Sequence, residues 1–107
     1  MVDLFIKKKM NMFAAQKFWD WFLENESWIV NNIKINSMEI ILKIDSLIKP
    51  IFPYFKKELE FQLGYNNDKG EIFFFHFGNK NLIKDANILA SMMPDELSKK
   101  WVFILEE

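Results

Sequence analysis

The sequence predicts an α+β domain, with two N-terminal helices followed by a β-β-α-β succession and the helices packed on a small three-stranded sheet. Three observations carry that reading. Apolar residues recur at three- and four-residue steps through the first half of the chain. They then alternate with polar residues or gather in short runs, as strands do. Asn, Gly and Pro cluster between these segments and not within them. The 107 residues suit one domain over 1–107, residues 1–11 being an ordered or frayed leader.

The first helix is expected from about Met12 to Asn31. Ala14, Phe18, Trp21, Phe22, Trp28 and Ile29 make its buried face, and Lys17, Asp20, Glu24 and Ser27 its wet one. Ala15 and Trp19 widen the apolar stripe, with Trp19 nearer its rim. Asn36 or Ser37 caps a second helix, and Glu39 supplies the reciprocal half of a capping box. Met38, Ile41, Leu42, Ile44, Leu47 and Ile48 form the inner face of this helix up to Lys49. Pro50 and Pro53 each remove a backbone donor and predict a kink or restart, after which Tyr54, Phe55 and Leu59 close against the core.

Leu59–Tyr65 alternates apolar and polar and predicts a strand with one wet face. Asn66–Gly70 reads as a five-residue turn. Glu71–Phe77 is nearly apolar on both faces, so the second strand of this hairpin should be the more central. A third helix, about Leu82 to Met93, buries Leu82, Ala86, Leu89, Ala90 and Met93 and stops at Pro94. A turn at Asp95-Glu96-Leu97 leads to a last strand, Trp101–Leu105. That strand pairs either parallel to its predecessor, through a right-handed crossover, or antiparallel to Leu59–Tyr65.

Composition narrows function more than it reveals it. The 14 basic residues are all Lys and the net charge is −1, so neither a basic field nor an Arg fork is present for nucleic acid or phosphoryl groups. Nucleic acid is therefore not an expected partner. Cys is absent, which removes thiolate chemistry and disulfide staples and favours a cytoplasmic setting. One histidine cannot make a His-based metal cluster, and no metal or cofactor is expected. No run reaches the ~18 apolar residues of a membrane span. Leu4, Phe5 and Ile6 beside Lys7, Lys8 and Lys9 make at most a marginal surface anchor, so membrane contact is not expected.

Few groups are left for chemistry. His76 shares a strand side with Ile72 and Phe74, and as a catalyst it would need a carboxylate to orient its ring. Asp20 and Glu24 lie one helical turn apart, with Glu26 nearby, as solvated surface carboxylates commonly do. No phosphate-cradling loop and no Gly-x-Ser-x-Gly elbow occurs. Trp19, Trp21, Trp28 and Trp101 are the candidate binding residues, because large rigid rings bury much area at low entropic cost. Trp21 and Trp28 also serve as core, which leaves Trp19 the better contact for a partner.

The run Phe18-Trp19-Asp20-Trp21-Phe22-Leu23-Glu24-Asn25-Glu26, the strand end Phe77-Gly78-Asn79 with its following helix, and Met93-Pro94 leading to Trp101 resemble a group of small uncharacterised bacterial α+β proteins. The resemblance spans Phe18 to Leu105 and departs at Pro50 and Pro53, where the pattern has an unbroken helix. It implies a bacterial cytoplasmic α+β protein and brings no catalytic residue. The reading is a non-enzymatic module that binds a protein partner or itself through an aromatic or strand-edge surface, an immunity-type protein being one concrete form. The alternative is a small-ligand binder or enzyme with a pocket around His76, using Tyr54, Tyr65 or a Glu.

Overall fold

A computed structural model describes residues 9–107, so the anchor reading, except for Lys9, and most of the 1–11 leader lie outside the described residues. Met10 and Asn11, the end of that leader, are not frayed. Met10 packs on the core, the Asn11 N–H donates to the Ile51 carbonyl at 2.8 Å, and its side chain caps the first helix by accepting from the Ala14 N–H. The chain forms α1 (Met12–Glu24), α2 (Glu26–Asn32), α3 (Ser37–Ile48), a 3₁₀ turn (Lys49–Ile51), β1 (Glu60–Asn66), β2 (Lys69–Phe75), α4 (Lys80–Ser91), α5 (Asp95–Ser98) and β3 (Trp101–Glu106). Helices and sheet are arranged as the α+β reading expects.

The long first helix is two. Asn25 leaves helical geometry, and both its backbone N–H and its side-chain Nδ2 donate to the Trp21 carbonyl at 2.9 Å. A short amide that hydrogen-bonds its own backbone in this way competes with helix continuation. Asn32 repeats the device on the Trp28 carbonyl and ends α2. The capping box expected at Asn36 does not form: its side chain accepts no cap bond, and its Nδ2 donates to Asn32 Oδ1 at 3.1 Å.

α3 is apolar on most of its circumference and turns Ile40, Ile44 and Ile48 inward, each fully buried. Met38 and Leu42, expected inside, stand 68% and 61% exposed. Only one i, i+4 row can meet α1, and the isoleucine row takes that place. Pro50 falls in the 3₁₀ turn, where its missing N–H is harmless, and Ile51 and Phe52 follow into the core.

The sheet order is β1-β2-β3, with β1 and β2 antiparallel and β2 and β3 parallel. β2 is central, as its apolar run predicts, and of the two alternatives for the last strand the parallel one forms. The hairpin turn is tighter than its composition suggests. Asn66 pairs with Lys69, leaving only Asn67 and Asp68 between the strands, both at positive φ. Asn and Asp tolerate the left-handed region that two-residue hairpin turns require. β2 therefore starts two residues earlier and ends at Phe75, so His76 lies beyond it.

Register sorts the sheet into two faces. Phe61, Leu63 and Tyr65 of β1, Gly70, Ile72 and Phe74 of β2, and Trp101, Phe103 and Leu105 of β3 share the inner one. Helices pack on that face: Trp19 of α1 meets Phe103 and Phe22 meets Trp101, with ring centroids 6.1 and 4.9 Å apart. Gly70 is the flat spot on which the Trp101 indole lies, since a Cβ there would overlap the ring.

Candidate functional site

The four tryptophans part company in the structure. Trp19, expected at the rim, is fully buried, and its indole Nε1 donates to the Leu89 carbonyl of α4 at 2.9 Å. That bond locks α1 to the crossover helix and removes Trp19 as a partner contact. Trp21 and Trp28, placed on the buried stripe, are only half-buried and meet edge to face, centroids 6.5 Å apart. The helix has rotated so that Ala14, Ala15, Phe18, Trp19 and Phe22 face inward. Trp101 is buried between Phe22 and Tyr65 and donates through Nε1 to Glu26 Oε2 at 3.1 Å. Glu26 thus serves a structural bond, and Asp20 accepts from Gln16 on the surface at 2.9 Å.

His76 belongs to a turn. Its N–H continues the ladder to the Glu106 carbonyl at 2.9 Å, and its own carbonyl accepts from the Asn79 N–H. Between them Phe77 and Gly78 take φ of 53° and 72°. The ring Nδ1 accepts from the Gly78 N–H at 3.0 Å, so that nitrogen is occupied in holding the turn. Tyr65 lies at the opposite end of the sheet, opposite Gly70, and cannot join His76. Among the described residues no group of three or more His, Asp or Glu is placed to hold a metal ion.

A cleft of about 660 Å³ does exist, between the segment after the 3₁₀ turn and the turn after β2, but His76 does not line it. Its apolar walls are Phe55 and Phe77, whose rings are parallel to within 2° with centroids 6.4 Å apart. Tyr54 closes one side and donates to the buried Asp85 Oδ2 at 2.6 Å. Burial first, and then the Asp85 carboxylate beside it, push the Tyr54 phenol above its ordinary value. It therefore remains a neutral donor and not a base.

The sheet's outer face is the more unusual surface. Row by row it carries Glu60, Phe75 and Glu106; Gln62, Phe73 and Ile104; Gly64, Glu71 and Val102. None of these nine positions is buried. An open sheet face is ordinarily polar. β1 obeys that rule, whereas β2 and β3 present Phe73, Phe75, Ile104 and Val102, the last 47% exposed.

This apolar strip runs to a free edge. In the parallel ladder the Gly70 N–H donates to the Lys100 carbonyl and the His76 N–H to that of Glu106. Even-numbered residues of β3 therefore face β2, and the N–H and C=O groups of Trp101, Phe103 and Leu105 point away from the sheet. Among the described residues no hydrogen bond engages them. Sequence reasoning named the Trp101–Leu105 edge but missed the strip on the outer face; the signal was the both-faced apolar run of β2. Compared with known proteins, the chain matches no family model, no curated protein and no solved structure. No helix among the described residues is long and apolar enough to cross a membrane.

Proposed function

We propose that the chain is a non-enzymatic docking module of the bacterial cytoplasm, like the small α+β group it resembles, and that it binds protein through the outer face and β3 edge of its sheet. The observation that carries this reading is the apolar strip Phe73, Phe75, Val102 and Ile104 on the outer face, with Val102 exposed and the other three half-buried, running to the edge of β3 that makes no hydrogen bond among the described residues. Those side chains add little to the core, which lies on the other face. Apolar strips rimmed by polar groups, here Glu60, Glu71 and Glu106, are a usual form of protein-binding surface. A strand edge adds main-chain hydrogen bonds to such contacts.

A photo-crosslinking residue placed at Phe73 in the producing cell tests this, with one at exposed Phe13 of α1 as control. One discrete protein adduct at position 73, missing at 13, is the expected result. No adduct at 73, or the same adducts at both positions, overturns the reading.

A second reading rests on the cleft. Phe77 is held at positive φ, a conformation costing a non-glycine residue roughly 1 kcal/mol, and that conformation sets its ring parallel to that of Phe55. Such walls suit a flat apolar ligand, and the same segments supply Lys56 and Lys57 for an anionic group.

A further inference from the structure

We infer that the partner at the β3 edge is a second copy of this chain, paired antiparallel to the first with Phe103 at the twofold axis. This inference rests on the docking reading above and names the occupant of its edge, leaving the outer face of the joined sheet open. The free groups of Trp101, Phe103 and Leu105 are the alternate residues that hydrogen-bond in an antiparallel pair. A twofold axis at Phe103 sets Phe103 against Phe103 of the second copy, and Trp101 against Leu105 of the second copy. Every outward N–H and C=O of the strand then has a partner, and the two sheets become one of six strands in the order β1-β2-β3-β3-β2-β1.

The same register matches the side chains. On the outer face Val102 comes opposite Ile104 of the second copy, and Ile104 opposite its Val102. These are the non-hydrogen-bonded pairs, in which side chains stand closest. At the ends, Lys100 comes opposite Glu106 of the second copy, and Glu106 opposite its Lys100. Both residues are exposed, and neither makes an ion pair within the described chain, where the pair formed is Lys49–Asp45. A register slip of one residue would set the outward groups of one strand against the inward groups of the other. Moving the axis by one residue would keep the hydrogen bonds in phase but set Lys100 or Glu106 against an apolar residue. A shift by two would unmatch the charges.

The inner face also lacks something that a second copy supplies. Ile72 and Phe74 of β2 are fully buried, but Phe103 and Leu105 beside them on β3 are only half-buried, since among the described residues no strand pairs past that edge. β3 carries none of the usual guards of an edge strand. It has no proline, no inward charge and no bulge in Trp101-Val102-Phe103-Ile104-Leu105. β1, the other edge, points Glu60 and Gln62 to the outer face and has no such self-matching register.

One strand pair is small beside the ~1,200–2,000 Å² buried by stable complexes, so the dimer should dissociate on dilution. Sedimentation equilibrium of the full chain across the micromolar to sub-millimolar range is the test. The wild type is expected to shift reversibly from one chain to two. Lys100→Glu and Glu106→Lys each replace two attractive contacts by two repulsive ones and should weaken the dimer roughly tenfold. The double variant K100E/E106K restores the match and should regain most of the loss. Val102→Lys, at an exposed position, should abolish pairing, with far-UV circular dichroism checking that each variant is folded.

A wild type that stays monomeric throughout overturns the inference. So does a dimer that ignores Val102→Lys, or one whose double charge variant is no better than the singles. The docking reading is tested separately: an adduct of Phe73 with a different protein supports it whatever sedimentation shows, whereas a wild type that stays monomeric overturns the second copy alone.

Discussion

Gly70→Ala is a substitution whose sign differs between sequence and structure. Within a strand, replacing Gly by Ala removes backbone freedom from the unfolded chain and ordinarily stabilises by about 0.5–1 kcal/mol. Gly70 carries no positive φ that would oppose the change. The obstacle is Trp101, whose six-membered ring lies where the new Cβ would go. The indole cannot retreat, because Phe22 meets it at 4.9 Å, Tyr65 at 5.7 Å, and its Nε1 is tied to Glu26. Overpacking of this kind costs about 1–3 kcal/mol, and lengthening the bond to a partly exposed carboxylate adds about 1 kcal/mol. Less the entropic gain, the variant should be about 2 kcal/mol less stable, a fall of roughly 10 °C in Tm for a domain of this size. Urea unfolding followed by tryptophan emission measures it. The double variant with Trp101→Leu should lose less than the sum of the two single changes, since the smaller side chain makes room. A Gly70→Ala protein as stable as the wild type, or more so, would refute the account of how β2 seats β3.

Trp19→Phe keeps a ring but loses the bond to the Leu89 carbonyl, which retains the Met92 N–H at 3.1 Å as a second partner; the cost should be about 1–3 kcal/mol in chemical denaturation. Trp28→Phe, at a half-buried position, should cost less than Trp19→Phe, and the reverse order would contradict the placement of the two rings. Tyr54 is predicted to shape alkaline stability. Its folded value lies above the ordinary 10.0, so its contribution is complete below pH 10 and is lost as pH rises further, because the unfolded chain releases that proton first. The unfolding free energy of the wild type should therefore fall more steeply above pH 10 than that of Tyr54→Phe; equal slopes would show that burial and Asp85 do not hold the phenol neutral.

Much of the fold can be read from local pattern because the deciding forces are local. Alternation in Glu60–Asn66 and the apolar run of β2 place a hairpin, and a helix between β2 and β3 makes a parallel return the natural connection. Where reading failed, the missing information was in another part of the chain. Apolar residues surround α1, so the stripe containing Trp21 and the one containing Trp19 have equal claim to the core. The tie is broken by the Leu89 carbonyl, which lies 70 residues away and accepts from the indole of Trp19 and not from that of Trp21. Isoleucine and leucine are likewise alike to a periodicity argument, so α3 could not announce that Met38 and Leu42 would be left outside. The five-residue turn failed differently. Asn66, Lys69 and Gly70 are common turn residues, but Gly70 is needed inside the strand to receive Trp101. At the site, the edge strand was visible and the face was not, because a strand apolar on both sides reads as covered on both.

The distribution of apolar residues over the outer face argues that the face is used and is not a by-product of strand propensity. If aromatic and β-branched residues were there only to favour extended backbone, β1 would need them as much as its neighbours. Yet its outward positions are Glu60, Gln62 and Gly64, and the large apolar residues of this face begin at β2, with Phe73 and Phe75, and continue to the far edge with Val102 and Ile104. Stability of the single chain does not explain that gradient either, because the helices and the buried rings lie on the opposite side. An apolar residue left in water gains little for the fold and invites unwanted pairing. The two edges are thus finished differently, with β1 polar on its outward side and β3 apolar up to its last residue but one and matched end to end in charge. That asymmetry is what the proposed pairing at the β3 edge requires.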